Sequence, residues 1–122
     1  MSEPTTPGPE DEPAAAAEQM LRDLAGLLRG AEHLTPATRA ALADLMAELA
    51  GALGRGGTGP QLDHLAESAA QAARALHEQR QHGLLAAARE RLEAAAARAE
   101  AKAPVATGVA RRLIDVLAEI GI

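Results

Sequence analysis

The residues of this chain that could do chemistry are four histidines, a glycine-rich stretch and a few hydroxyl groups. The histidines are His33, His64, His77 and His82. A helical metal site needs ligands three or four residues apart on one face, as in the Glu-x-x-His motif of di-iron bundles, and no Glu-x-x-His occurs here. The pairs His64/Glu67 and Glu78/His82 have helical spacing, but two isolated pairs supply too few carboxylates for a metal cage. We therefore interpret the histidines as surface residues and predict no metal site.

The glycine-rich stretch partly matches two phosphate-binding patterns. Residues 54–59, GRGGTG, fit G-x-G-x-x-G, and residues 51–58, GALGRGGT, approach a P-loop but carry Gly57 in place of the lysine. A dinucleotide site needs a strand before the motif and a helix that begins inside it. Here a predicted helix precedes the motif and Pro60 follows it, so we interpret residues 54–60 as a flexible linker.

Nucleophiles are scarce. Ser2 lies in the N-terminal stretch, Ser68 lies among alanines, and there is no cysteine. No Ser-His-acid arrangement can be argued from the spacing, and disulfides and thiolate chemistry are excluded. We predict a protein that is not an enzyme, with no cofactor and no evident small-molecule ligand.

The charge distribution argues against nucleic acid as a partner. The net charge is −5, residues 1–18 carry five acids and no base, and the remaining residues carry twelve of each. A basic face is missing, and so are Phe, Tyr and Trp, on which bases would stack. No stretch approaches the ~20 apolar residues of a membrane span, and no signal peptide is evident, so we expect a cytoplasmic protein.

Apolar periodicity predicts an all-α protein of three or four helices, packed as hairpins in a coiled-coil-like bundle without β-strands. Residues 1–12, which are acidic and proline-rich, are predicted to be a disordered tail, and residues 13–122 a single helical domain. Thr35 and Pro36 have the types expected at an N-cap and a first helical position. The predicted helices span residues 14–29, 36–53, 61–102 and 104–120.

The long tract between residues 61 and 102 contains two apolar registers. Leu62, Leu65 and Leu76 belong to the first, and Leu85 and Leu92 to the second. The registers do not join at His82-Gly83, which predicts a kink, a register shift or a tight turn there. We favour a kinked continuous helix, because no spare loop residues separate Gly83 from the next apolar residue.

The last helix is predicted to end on its own hydrophobic cap. With Gly121 in the left-handed conformation, the Ile122 amide would bond the Leu117 carbonyl and Ile122 would pack against Leu117. Along the same helix, Arg111 and Asp115 have the spacing of an ion pair. The predicted buried stripe of this helix is Val105, Val109, Leu113, Val116, Leu117 and Ile120.

The C-terminal region also carries a family pattern, formed by a charged helix, a helix that begins at proline, and a Gly-Ile ending. Its residues here are Arg91, Leu92, Glu93, Glu100, Pro104, Leu113, Leu117, Gly121 and Ile122. On these residues the chain resembles a bacterial family of small helical proteins, domain of unknown function 4404. The resemblance covers residues 85–122 well and 20–53 loosely, with Ala99 and Ala103 where the family usually has Phe and His. Residues 61–83 look like an extension. The resemblance implies a helical cytoplasmic protein and no particular activity.

These patterns lead to a hypothesis of function. Short helices cannot cover both sides of a long Leu/Ala stripe, so we predict a non-enzymatic interaction or scaffold protein that self-associates, most simply as a dimer, or binds another helical protein. The predicted seam is Leu62, Leu65, Leu76, Leu85 and Leu92, and the alternative is that all five are intramolecular core. The alternative function is an amphipathic coat on a lipid or hydrophobic-particle surface.

Overall fold

The computed structural model describes residues 11–57, 59–79 and 81–122, and these residues form five helices and no β-strand. The helices are α1 (Asp11–Arg29), α2 (Pro36–Arg55), α3 (Pro60–His77), α4 (His82–Ala99) and α5 (Pro104–Ile120). The predicted all-α class is confirmed, whereas the predicted number of helices was too low. The predicted tail lies outside the described residues, except for residues 11 and 12, which begin α1.

Proline occupies the first turn of α2, α3 and α5. A first-turn residue has no intrahelical partner for its N–H, so proline loses nothing there and its fixed φ favours the helix. At α2 the Thr35 side chain accepts a hydrogen bond from the Thr38 amide at 3.2 Å, which is the predicted N-cap. The helix continues to Arg55, two residues beyond the predicted end.

The continuous long helix that we favoured is wrong. Residues 78–81 separate α3 from α4, and the two helices pack against each other as a hairpin. The turn uses Gln79, which adopts a φ of 55°, whereas Gly83 lies within the first turn of α4. The reversal is favoured because it buries the two apolar registers against neighbouring helices of the same chain, while one extended helix would leave much of them in water.

The five helices close into a ring in which each one packs mainly against two others. The order around the ring is α1, α2, α5, α4, α3 and back to α1. A hydrogen bond from His33 to the main chain of Leu76 ties the end of α1 to the end of α3. These two helices are therefore parallel, and the end of α5 lies at the same end of the bundle as the start of α4.

A single core of leucine and alanine fills the ring, with contributions from all five helices. Its largest fully buried side chains are Leu21, Leu28, Leu42, Met46, Leu49, Leu65, Leu92, Thr107 and Val109. The buried stripe predicted for α5 is wrong at both ends, because Val105 and Ile120 are exposed and Ala106 and Ala110 are buried instead. Within the described residues, no helix has the length and apolarity needed to cross a bilayer.

Candidate functional site

The leucines of the predicted seam lie in or beside the core of the single chain. Leu62, Leu65, Leu76 and Leu92 are at most 4% exposed and belong to the core, as the intramolecular alternative required. Leu85 is half-buried at the edge of the core. The four buried leucines could reach a second molecule only if the bundle opened, so a docking surface has to be sought among other residues.

The sequence motifs that could have formed a catalytic or metal site stay apart in the structure. His64 and His82 are exposed, His77 is half-buried, and the described residues contain no group of three His, Asp or Glu that could hold a metal ion. Ser68 is buried in the interior. Of the predicted linker, residues 54 and 55 end α2 and Pro60 begins α3, so helices flank the glycine-rich stretch on both sides, unlike the strand and helix of a dinucleotide site.

The C-terminal cap has the expected geometry. Gly121 adopts a φ of 99°, its amide donates to the Ala118 carbonyl at 3.0 Å, and the Ile122 amide donates to the Leu117 carbonyl at 3.2 Å. These are the two hydrogen bonds of a Schellman ending. Ile122 is half-buried against the core. The cap finishes α5 and fixes its last turn at the edge of the core.

A groove between α4 and α5, with a volume of about 570 Å³, combines charged with apolar side chains. Ile114 is half-buried there, and alanines keep the two walls shallow. We call this feature the α4–α5 groove, and its lining residues are Arg89, Glu93, Ala96, Ala97, Arg111, Ile114, Asp115 and Ala118.

The charges of the α4–α5 groove are only partly matched within the chain. The Arg89 Nε lies 3.6 Å from a Glu93 carboxylate oxygen, is inaccessible to solvent, and has no hydrogen-bond acceptor. The predicted pair of Arg111 with Asp115 is wrong, because Arg111 instead pairs with Glu100 across the two helices. Antiparallel packing of α4 and α5 brings Glu100 beside the first half of α5. Asp115 is left without an ion-pair partner among the described residues.

The α4–α5 groove has no clear signature in the sequence. Ile114 follows Leu113 directly, so it falls just outside the apolar stripe of α5. An apolar residue at such a position looks like a wider part of the same buried face and does not indicate a separate surface. The spacing of Arg111 and Asp115 predicts an ordinary solvated ion pair. The only available signal was an isoleucine beside a charged face, which is common on surface helices.

The α4–α5 groove lies in the part of the chain that matches a known family model. A family model described as Domain of unknown function (DUF4404) matches residues 59–122, which hold α3, α4 and α5. The match includes residues 61–83, so our interpretation of that segment as an extension is wrong, and it does not include the loosely similar residues 20–53. No curated protein and no solved structure matches the chain.

Proposed function

The chain belongs to the DUF4404 family, and from that premise we propose that it is a non-enzymatic helical interaction protein of the cytoplasm that self-associates through the α4–α5 groove. In the proposed dimer, the α4–α5 groove of one copy packs against the α4–α5 groove of a second copy. The observation that supports this is the pairing of a half-buried apolar floor with two incompletely matched charges of opposite sign, Arg89 and Asp115.

The apolar part of the α4–α5 groove suits a helix of a second copy. Alanine at positions 96, 97 and 118 leaves room for close approach, since the distance between packed helix axes depends on the side chains at the contact. Ile114 would lose its remaining contact with water in such a contact. Burial of apolar area at about 25 cal/mol per Å² would then favour association.

The charges of the α4–α5 groove favour a second copy over a partner of one dominant sign. Two acids and two bases line it, so a strongly acidic or basic partner would meet as much repulsion as attraction. A twofold interface repeats each contact, so Arg89 of one copy and Asp115 of the other can pair twice. Such pairs would give Asp115 a partner and would bring a second carboxylate, beside that of Glu93, to the exposed part of the Arg89 side chain.

The proposal is tested by absolute mass in solution, from light scattering after size exclusion over a wide range of concentration. We expect a dimer that dissociates on dilution. Ala97→Arg places a bulky side chain in the α4–α5 groove and should give a monomer at concentrations where the parent is dimeric. Ala94→Arg makes the same change at an exposed position of α4 outside the groove and should leave the mass unchanged. A parent that is monomeric throughout, or equal behaviour of the two variants, contradicts the proposal.

A second candidate function is binding to a lipid or hydrophobic-particle surface. Leu27, Leu84 and Ile120 are 48%, 51% and 37% exposed, and the helix directions place all three at one end of the bundle. Flotation with lipid vesicles and a rise in helicity on their addition would support this candidate. The double variant Leu27→Ser/Leu84→Ser should then lose flotation, and a parent that does not float with vesicles removes the candidate.

A further inference from the structure

A second cleft lies on another face of α4, where that helix meets α3. Its volume is about 210 Å³, and it is lined by Gln71, Arg74, Ala75, Leu84, Ala88 and Arg91. On α4 the lining residues are four and three apart and form one helical face, whereas the α4–α5 groove uses Arg89 and Glu93 on a different face. Binding of a ligand in this α3–α4 cleft is therefore independent of self-association.

Two guanidinium groups in the α3–α4 cleft lack acidic partners. Neither Arg74 nor Arg91 has a carboxylate within 4 Å among the residues described. Within the same described part of the chain, Arg39, Arg55 and Arg98 also lack such a partner, whereas Arg22, Arg29, Arg89, Arg111 and Arg112 each reach a carboxylate. What distinguishes Arg74 and Arg91 is that both line the same cleft. The Arg74 Nη2 donates to the Met20 Sδ at 3.1 Å, and a thioether is a weak acceptor. Most donors of both guanidinium groups thus remain available to a ligand.

The rest of the α3–α4 cleft is apolar except for one amide. Leu84 is half exposed beside the two arginines, Ala75 and Ala88 line the space between the helices, and Gln71 adds an amide donor. Pockets for drug-sized ligands hold about 300–1,000 Å³, so a cleft of this volume suits a smaller molecule or the end of a chain.

We propose that the α3–α4 cleft binds a carboxylate or phosphate group carried on a short apolar chain. Arg74 and Arg91 hold the oxyanion, because the planar fork of a guanidinium matches two oxygens of such a group. Gln71 donates a further hydrogen bond, and Leu84 covers the apolar part of the ligand. The cleft lies entirely within the region that matches the family model.

The test titrates the full chain with butyrate, butyramide and inorganic phosphate in separate experiments. Backbone and side-chain amide chemical shifts report binding. Butyrate should shift the Gln71 side-chain amide and the amides around Leu84 and saturate. Butyramide has nearly the same shape without the charge and should not bind. Phosphate should bind more weakly than butyrate, since it has no apolar part to contact Leu84. Absence of butyrate binding, equal binding of butyramide, or tighter binding of phosphate overturns the proposal.

Matched variants locate the site. Arg74→Gln and Arg91→Gln should each weaken butyrate binding by about tenfold, because each removes a charge-assisted hydrogen bond. Arg98→Gln removes the same charge from α4 two turns beyond Arg91 and should change the affinity less than about twofold. If either glutamine variant fails to fold, Arg74→Lys or Arg91→Lys replaces it and should bind with intermediate affinity, since the charge remains and the fork is lost. Equal effects of all positions would show general attraction to surface charge and would overturn the assignment.

Discussion

The Nε2 of His33 lies 2.9 Å from the main-chain oxygen of Leu76, so the loop after α1 is hydrogen-bonded to the last turn of α3. The carbonyl oxygen can only accept, which makes Nε2 the donor. The Leu76 carbonyl also accepts from the Gln79 amide at 3.2 Å, so the His33 bond adds a second donor to an oxygen that has two lone pairs. The contact joins the two halves of the ring at the end where α3 turns back into α4.

Replacement of His33 tests this tie. His33→Ala should lower the free energy of unfolding by about 0.5–1.5 kcal/mol, the net value of an intramolecular hydrogen bond. Urea unfolding monitored by circular dichroism measures it. His64→Ala removes an exposed histidine of α3 and should change the free energy by less than about 0.5 kcal/mol. Equal effects of the two substitutions would show that the His33 bond contributes nothing specific.

Leu92 distinguishes a core residue from a residue of an intermolecular seam. It is fully buried, so Leu92→Ala should cost about 2–5 kcal/mol through lost burial and a residual cavity. The loss should persist at concentrations where light scattering finds only monomer. Leu27→Ala, at a half-exposed position of α1, should cost much less. A cost for Leu92→Ala that disappears on dilution would place Leu92 in an interface instead.

Gln79 adopts a left-handed conformation with a φ of 55°. That conformation costs a non-glycine residue roughly 1–2 kcal/mol. Glycine avoids this cost, but its more flexible unfolded chain lowers the free energy of unfolding by about 0.5–1 kcal/mol. Gln79→Gly should therefore raise the free energy of unfolding by a few tenths to about 1 kcal/mol. Gln79→Ala removes the same side chain without relieving the backbone and should give no gain. Thermal and urea unfolding of both variants measure the difference, and destabilisation by glycine would contradict the turn geometry.

Two glycines of α5 and its cap should respond oppositely to alanine. Gly121 has a φ of 99°, so Gly121→Ala should destabilise the protein by about 1 kcal/mol. Gly108 is helical and exposed, and an added Cβ would meet no atom within 4 Å. Gly108→Ala should stabilise the protein by about 0.5–1 kcal/mol, because alanine is the better helix former. Urea unfolding gives both signs, and stabilisation by Gly121→Ala would exclude the Schellman ending.

A charge exchange tests the proposed pairing of Arg89 with Asp115 between two copies. Arg89→Glu and Asp115→Arg should each weaken dimerisation by about tenfold or more, because each brings like charges together. The double variant restores opposite charges and should recover most of the affinity. Arg98→Glu reverses a charge on α4 outside the α4–α5 groove and serves as the control. Dissociation constants from light scattering decide, and a double variant as weak as the two single variants would contradict the pairing.

Much of the local structure could be predicted because short-range chemistry decides it. Thr35 and Pro36 specify a helix start through a side-chain acceptor and a fixed φ, and Gly121 specifies a helix end through its access to positive φ. The all-α class follows from apolar spacing alone. Each of these features depends on atoms within one or two helical turns, so the linear order of residues contains the information.

Features that depend on residues distant along the chain could not be read in this way. The reversal at Gln79 needed a positive φ at a residue type that rarely adopts it, and packing against α1 and α5 stabilises the resulting hairpin. Arg111 pairs with Glu100 and not with Asp115, because antiparallel packing of α4 and α5 places the Glu100 carboxylate nearby. The α4–α5 groove and the α3–α4 cleft arise the same way: their charges are ordinary surface residues until the ring of helices sets them side by side. Local preferences thus decide where helices begin and end, whereas burial of the shared Leu/Ala core decides which helices are neighbours and which charges remain for a partner.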